Sequence, residues 1–122
     1  NPALFSKTEE TDVTPLFLDI LTTARNRVAE WGGKLYFVYL PEFPRYKKYF
    51  VNHDAHRKRS EMLRLVESLQ IPVIDIHHEV FEKHPEPLAL FPFKRGGHYN
   101  AEGYKLVADT IVKEVEKMFS AK

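Results

Sequence analysis

The 122-residue chain contains no cysteine. That excludes disulfides, thiolate-bound zinc and a cysteine nucleophile, although it selects no compartment. No apolar run approaches the roughly 18 residues of a membrane-spanning helix, so no membrane insertion by this chain is expected. No signal-peptide pattern is present. Net charge is nearly absent: 18 Lys and Arg face 17 Asp and Glu, leaving +1. Nothing in that balance points to nucleic acid or an anionic membrane, and no nucleic-acid partner is expected. There is no internal repeat and no low-complexity tract. The first residue is Asn1 rather than Met, so the chain is expected to be cut from a longer one. What is present is ordinary for one globular domain: 43% hydrophobic and 29% charged residues, which argues against disorder.

Residues 1–11, NPALFSKTEET, show no period and are expected to form a loose arm. Thr14 and Pro15 read as helix N-cap and first helical position. Phe17, Ile20, Leu21, Ala24, Val28 and Trp31 then form a helical stripe, and Gly32 and Gly33 end it. LYFVYL, residues 35–40, has no alternation and is closed by Pro41, as in a strand buried on both faces. EFPRYKKYFVN reads as a loop. Asp54 is placed to cap a second helix with Met62, Leu63, Val66 and Leu69 inward. IPVIDIH, residues 71–77, reads as a second buried strand, followed by a Pro- and Gly-containing loop over 84–97. The last helix starts after Asn100, with Tyr104, Val107, Ala108, Ile111, Val115 and Phe119 on its apolar face. The order α-β-α-β-α implies an α/β fold with a parallel sheet and right-handed crossovers. Two strands leave two open edges and cannot fill the faces of three helices. Further strands are therefore expected, upstream or from a partner chain.

The most informative stretch is FPFKRGGHYNAEGY, residues 91–104. In open α/β sheets, sites form beyond the carboxyl ends of the strands, where the 78–100 loop departs. Gly96 and Gly97 permit close backbone approach, Asn100 can cap the last helix, and Gly103 leaves room for a neighbouring element. His98 then sits at a helix N-terminus, which disfavours the imidazolium, while a nearby carboxylate would favour it. Such a histidine suits a base near neutral pH. The competing reading is a surface or capping histidine. Phe91 and Phe93 either pin the loop to the core or line an acyl pocket.

HYNAEGYKLVADTI resembles the last block of the SGNH (GDSL-type) hydrolases, in which the catalytic histidine precedes the C-terminal helix. VIDIH and LYFVYLP look like the last two strands of that flavodoxin-like, three-layer α/β/α sandwich. GGKLYFVYLP, IPVIDIHHEVF and FPFKRGGHYNAEGY resemble bacterial membrane-associated SGNH-like proteins linked to polysaccharide O-acetylation. The resemblance spans roughly residues 13–118, and implies that 12–122 form the C-terminal part of one such domain, periplasmic or at the cell surface. It also implies a serine esterase or acetyltransferase acting on acyl esters of carbohydrate, O-acetyl esters foremost. In that family a Gly-Asp-Ser serine attacks the ester, histidine takes its proton, and backbone and Asn donors hold the oxyanion. By resemblance His98 is the base, and Asn100, Gly97 and Phe93 are positioning or substrate-binding residues. No metal or organic cofactor is implied.

The chain departs from that pattern in three places. It has no Gly-Asp-Ser; its serines are Ser6, Ser60, Ser68 and Ser120. It has no Gly-x-Asn-Asp. Arg95 stands where an aspartate three residues before the histidine is usual. The nucleophile is therefore expected upstream, and Asp75, Glu79 or a backbone carbonyl could orient His98. The rival reading is a non-catalytic α/β binding module, or a degenerate hydrolase-like domain, that completes its sheet with a partner.

His53, Asp54, His56, His77 and His78 could suggest a metal. However, Asp54 already serves as a cap, and His77 and His78 point to opposite faces if extended. No metal site is expected. HRKR, residues 56–59, reads as a solvated helix start. RYKKYF, residues 45–50, reads as a loop whose tyrosines cover an adjoining domain, or as a stacking surface for nucleic acid or glycan.

Overall fold

The computed structural model describes residues 12–47 and 53–120, with the side chains of 53–56 left out. The expected arm over 1–11, the Asp54 cap, His53, His56 and Tyr49 therefore lie outside the described residues or side chains. The chain forms two compact units, one ending at Leu35 and one beginning at Tyr36.

In the first unit, helix α1 spans Thr14–Glu30. Thr14 is already helical, so the cap lies earlier than its sequence suggests. Val13 takes the cap position without a side-chain bond, and Asp12 Oδ1 accepts the Thr14 N–H at 3.0 Å. That bond to the Thr14 backbone holds the Asp12 carboxyl below its usual range. At the other end Gly32 adopts φ +80°. Gly33 N–H donates to Val28 O and Gly32 N–H to Ala29 O, each at 3.0 Å, the paired closure expected of a left-handed glycine after a helix. No α1 residue is buried, and Ile20 and Trp31 are exposed. The stripe read along this helix is thus not a closed core face.

In the second unit, strand β1 (Phe37–Tyr39) pairs in parallel with β2 (Val73–Asp75), with Phe37 opposite Val73, Val38 opposite Ile74 and Tyr39 opposite Asp75. Helix α2 spans His53–Ser68 and α3 spans Ala101–Ser120. The unit is a mixed α/β structure, mostly helical, around a small parallel sheet. Both strands are shorter than the runs 35–40 and 71–77 suggest. Pro72 has no N–H for the ladder; its carbonyl accepts the Phe37 N–H at 2.9 Å. Past β2, Asp75 Oδ1 accepts the His78 N–H at 3.4 Å, and the chain winds into a π-helical turn over His77–Phe81. β1 is half-buried throughout, rather than enclosed on both faces.

The main core joins Ile74, Ile76, Val80, Phe81, Leu90, Phe91, Tyr99 and Val107, with Val38, Tyr46, Leu106, Ile111 and Val115 packed on it. Tyr46 stacks on Phe81 at 4.9 Å between centroids, and Tyr99 meets Phe81 at 5.1 Å and Phe91 at 5.4 Å. Each such pair adds about 0.5–1.5 kcal/mol beyond its buried area. Tyr46 therefore packs on this core while remaining part-exposed. Leu63 and Val66 of α2 are buried outside this cluster. The inward face of α3 is narrower than its sequence suggests: Tyr104, Ala108 and Phe119 are exposed. The expected loop over 84–97 is organised by 3-10 turns at Pro87–Leu90 and Pro92–Lys94, each opened by a proline whose fixed φ suits that position.

Candidate functional site

The loop before α3 is held by Asn100. Its backbone N–H donates to Leu90 O at 2.8 Å, and its Nδ2 donates to Ala89 O at 2.7 Å. Its Oδ1 accepts the Gly103 N–H at 2.9 Å, the bond that an N-cap makes to the third helical residue. Gly103 is buried in the first turn of α3, and a Cβ there would lie 2.7 Å from the Leu90 carbonyl oxygen. Both roles read from the sequence are thus present, and both fix the backbone on either side of His98 and Tyr99. Tyr99 is buried, with its hydroxyl donating to Pro41 O at 2.6 Å; burial pushes its pKa well above the ordinary range.

His98 itself is exposed. Its Nδ1 lies 2.7 Å from the Tyr99 carbonyl oxygen. A carbonyl can only accept, so in the neutral ring Nδ1 carries the proton and Nε2 carries the lone pair. Nε2 has no hydrogen-bond partner among the described residues. The ring lines a groove of about 310 Å³ together with Leu40, Pro41, Glu42, Gly97, Tyr99 and Tyr104. Gly97 stands at φ +107°, a backbone region that favours glycine. Leu40, Glu42 and Tyr104 are groove residues that sequence reasoning missed; the signal was Pro41, two residues past β1, whose carbonyl accepts the Tyr99 hydroxyl.

Two candidates from the sequence are not brought to His98. Asp75 is ion-paired with Arg59 and takes the His78 N–H, so it does not orient His98. Glu79 pairs with Lys83 at 3.1 Å. The Tyr99 carbonyl has the place that either acid was expected to fill. Phe93 does not line the groove. It is 94% exposed at φ +52°, in contrast to buried Phe91, which does pin the loop. None of the described serines is hydrogen-bonded to His98. Ser68 Oγ donates to Leu65 O and Ser120 Oγ to Glu116 O, and Ser60 lies on the exposed side of α2; Ser6 is outside the described residues.

A second assembly occupies the carboxyl edge of the sheet. Arg59 was read as part of a solvated basic run, yet its side chain and that of Asp75 are only 17% and 19% exposed. Arg45 Nη2 donates to the Tyr39 hydroxyl at 2.9 Å. The Tyr46 hydroxyl and His77 Nδ1 are 2.7 Å apart. Burial, and then the positive fields of Arg59 and Arg45, lower the pKa of His77. Burial likewise raises the pKa of the Tyr46 hydroxyl far above the ordinary range.

Among the described residues no group of three His, Asp or Glu side chains is placed to hold a metal, and no described helix is long and apolar enough to cross a membrane. Comparison of the chain with protein-family models, with curated proteins and with solved structures yields no match.

Proposed function

We propose that the chain is the C-terminal part of an SGNH-like serine esterase or acetyltransferase, with His98 as general base and the serine outside residues 1–122. The single observation that carries this reading is the His98 ring. Its Nδ1–H is spent on the Tyr99 carbonyl, its Nε2 has no hydrogen-bond partner among the described residues, and the ring lines a groove of about 310 Å³. In this reading β1 and β2 belong to a larger flavodoxin-like α/β/α sheet, and acyl esters of carbohydrate are the substrates by resemblance.

The chemistry follows from that geometry. Nε2 removes the serine proton as the serine oxygen attacks the acyl carbonyl carbon. The Tyr99 carbonyl accepts from Nδ1–H and stabilises the imidazolium, as a carboxylate would more strongly. The imidazolium then protonates the leaving alkoxide. Water, or an acceptor hydroxyl, is activated by the same nitrogen to release the acyl group. Asn100 has both ends of its amide committed to Gly103 and Ala89, so it acts as a positioning residue.

The test is acetyl-ester turnover and labelling by a fluorophosphonate probe in the full-length protein. His98→Gln is expected to lower turnover by roughly 10²–10⁴-fold, the usual contribution of a general base. Turnover unchanged in the variant would refute the role of His98. A specific observation keeps the binding-module reading in view: Asn100 and Gly103, the other marked residues of the motif, have complete structural roles. Absence of any labelled serine in a folded full-length protein decides for that module.

A further inference from the structure

Tyr39 and Asp75 are register partners at the carboxyl ends of β1 and β2. Register partners on parallel strands project from the same face. Two guanidinium groups meet there: Arg45 Cζ lies 5.9 Å and Arg59 Cζ 5.8 Å from the centroid of the Tyr39 ring. Arg45 donates to the Tyr39 hydroxyl, and Arg59 Nη1 donates to Asp75. Arg59 Nε is buried and has no hydrogen-bond acceptor among the described residues. A guanidinium presents its donors as a rigid fork suited to two acceptor oxygens at once. Part of the Arg59 fork is satisfied by Asp75, while its buried Nε–H meets no acceptor among the described residues. The π-helical turn that carries His77 starts at the same edge. Such turns are frequent at functional sites, and ligands of open α/β sheets sit beyond the strand carboxyl ends.

We propose that this edge binds a small oxyanion, a phosphate or the phosphate-like group of a larger ligand. Arg59 and Arg45 are its charged donors, and the Tyr39 hydroxyl orients Arg45. Asp75 holds Arg59 in place and competes with the ligand for it. Chloride, a single acceptor that offers no pair of oxygens to match the fork, is a poor substitute. The site does not depend on the esterase reading, because neither His98 nor a serine takes part.

The probe is inorganic phosphate, titrated into the chain at constant ionic strength, with the Arg59 Nε–H and the His77 ring followed by NMR. A saturable shift is expected with phosphate and not with chloride. Asp75→Asn removes the competing carboxylate and is expected to tighten phosphate about tenfold. Arg45→Gln leaves the Arg59–Asp75 pair intact and is expected to weaken phosphate roughly threefold. Should Asp75→Asn be unfolded in buffer, phosphate is expected to restore its thermal transition, since a ligand that binds only the folded state stabilises it. The proposal is overturned by a linear response no larger than that of the exposed Arg57 and Arg64. An equal response to chloride, or an unfolded Asp75→Asn that phosphate does not rescue, overturns it as well.

Discussion

Asn100 Oδ1 accepts the Gly103 N–H at 2.9 Å while Asn100 Nδ2 donates to Ala89 O at 2.7 Å, so one side chain both starts α3 and ties the preceding turn to it. Asn100→Ala loses both bonds. The cap is worth about 1–2 kcal/mol, and the second bond about 1 kcal/mol. Asn100→Asp keeps the acceptor for Gly103 but removes the donor to Ala89, and a carboxylate suits a helix N-terminus. Urea unfolding is expected to rank the wild type above Asp and Asp above Ala. Equal loss in the two variants would show that the Gly103 cap contributes nothing, and an Asp variant as stable as the wild type would show the same of the Ala89 tie.

Gly103 is the point of closest approach between α3 and the turn ending at Leu90. A methyl group there would meet the Leu90 carbonyl oxygen at 2.7 Å and Tyr99 Cβ at 3.0 Å. Alanine gains about 1 kcal/mol of helix propensity over glycine. Overpacking against a fixed backbone costs about 1–3 kcal/mol. The clash is with backbone rather than a side-chain tip, so we expect Gly103→Ala to be net destabilising in thermal melts. A higher melting temperature in the variant would mean that the Leu90 turn gives way at no cost.

Where the sequence was informative, the signal was local. Gly32–Gly33 ending α1 and Asn100 opening α3 are each decided within six residues, by backbone freedom or by one capping bond. Where it failed, the deciding contact was distant. Asp75 looked like a possible partner for His98, yet Arg59, one helix earlier, claims it. Arg59 sat in a basic run that reads as solvent-facing, and nothing in HRKR distinguishes the residue that turns toward the sheet. His77 looked like the end of a strand, whereas Asp75 takes the His78 N–H and bends the chain into a π-helical turn. Phe91 and Phe93 are equivalent as letters; the left-handed backbone at Phe93 sends one outward while the other enters the core.

The lowered pKa of His77 has a definite consequence for stability. Burial comes first among its causes, followed by Arg59 and Arg45. In the window between the depressed folded value and the ordinary 6.5, the unfolded chain binds more protons than the folded one. Stability therefore rises with pH there. The contribution is complete above the unfolded value and is lost as pH falls toward the folded one. His77→Gln, which still offers the Tyr46 hydroxyl an acceptor, is expected to flatten that part of the profile. Glu82, held below its usual 4.5 by its bond to His78, acts in a separate, more acidic window. Denaturant midpoints measured through both windows separate the two. An unchanged slope just below 6.5 in His77→Gln would assign that slope to another group.

His98 gives the most direct reading of the proposed chemistry. Its Nδ1 faces the Tyr99 carbonyl at 2.7 Å, so the neutral ring must be the Nδ1–H tautomer. Neutral imidazole can place its proton on either nitrogen, and a bond of this kind fixes the choice. Long-range ¹⁵N correlation spectra are expected to show Nδ1 protonated and Nε2 bare. Because none of the described serines bonds to His98, the 122-residue chain by itself is expected not to turn over p-nitrophenyl acetate above buffer. The two measurements answer different questions. An Nε2–H tautomer would leave Nε2 without a lone pair to take a serine proton and end the general-base reading whatever the activity. Turnover abolished by His98→Ala would instead place a nucleophile within these residues, and would send the search to Ser6 and Ser60 before any upstream segment.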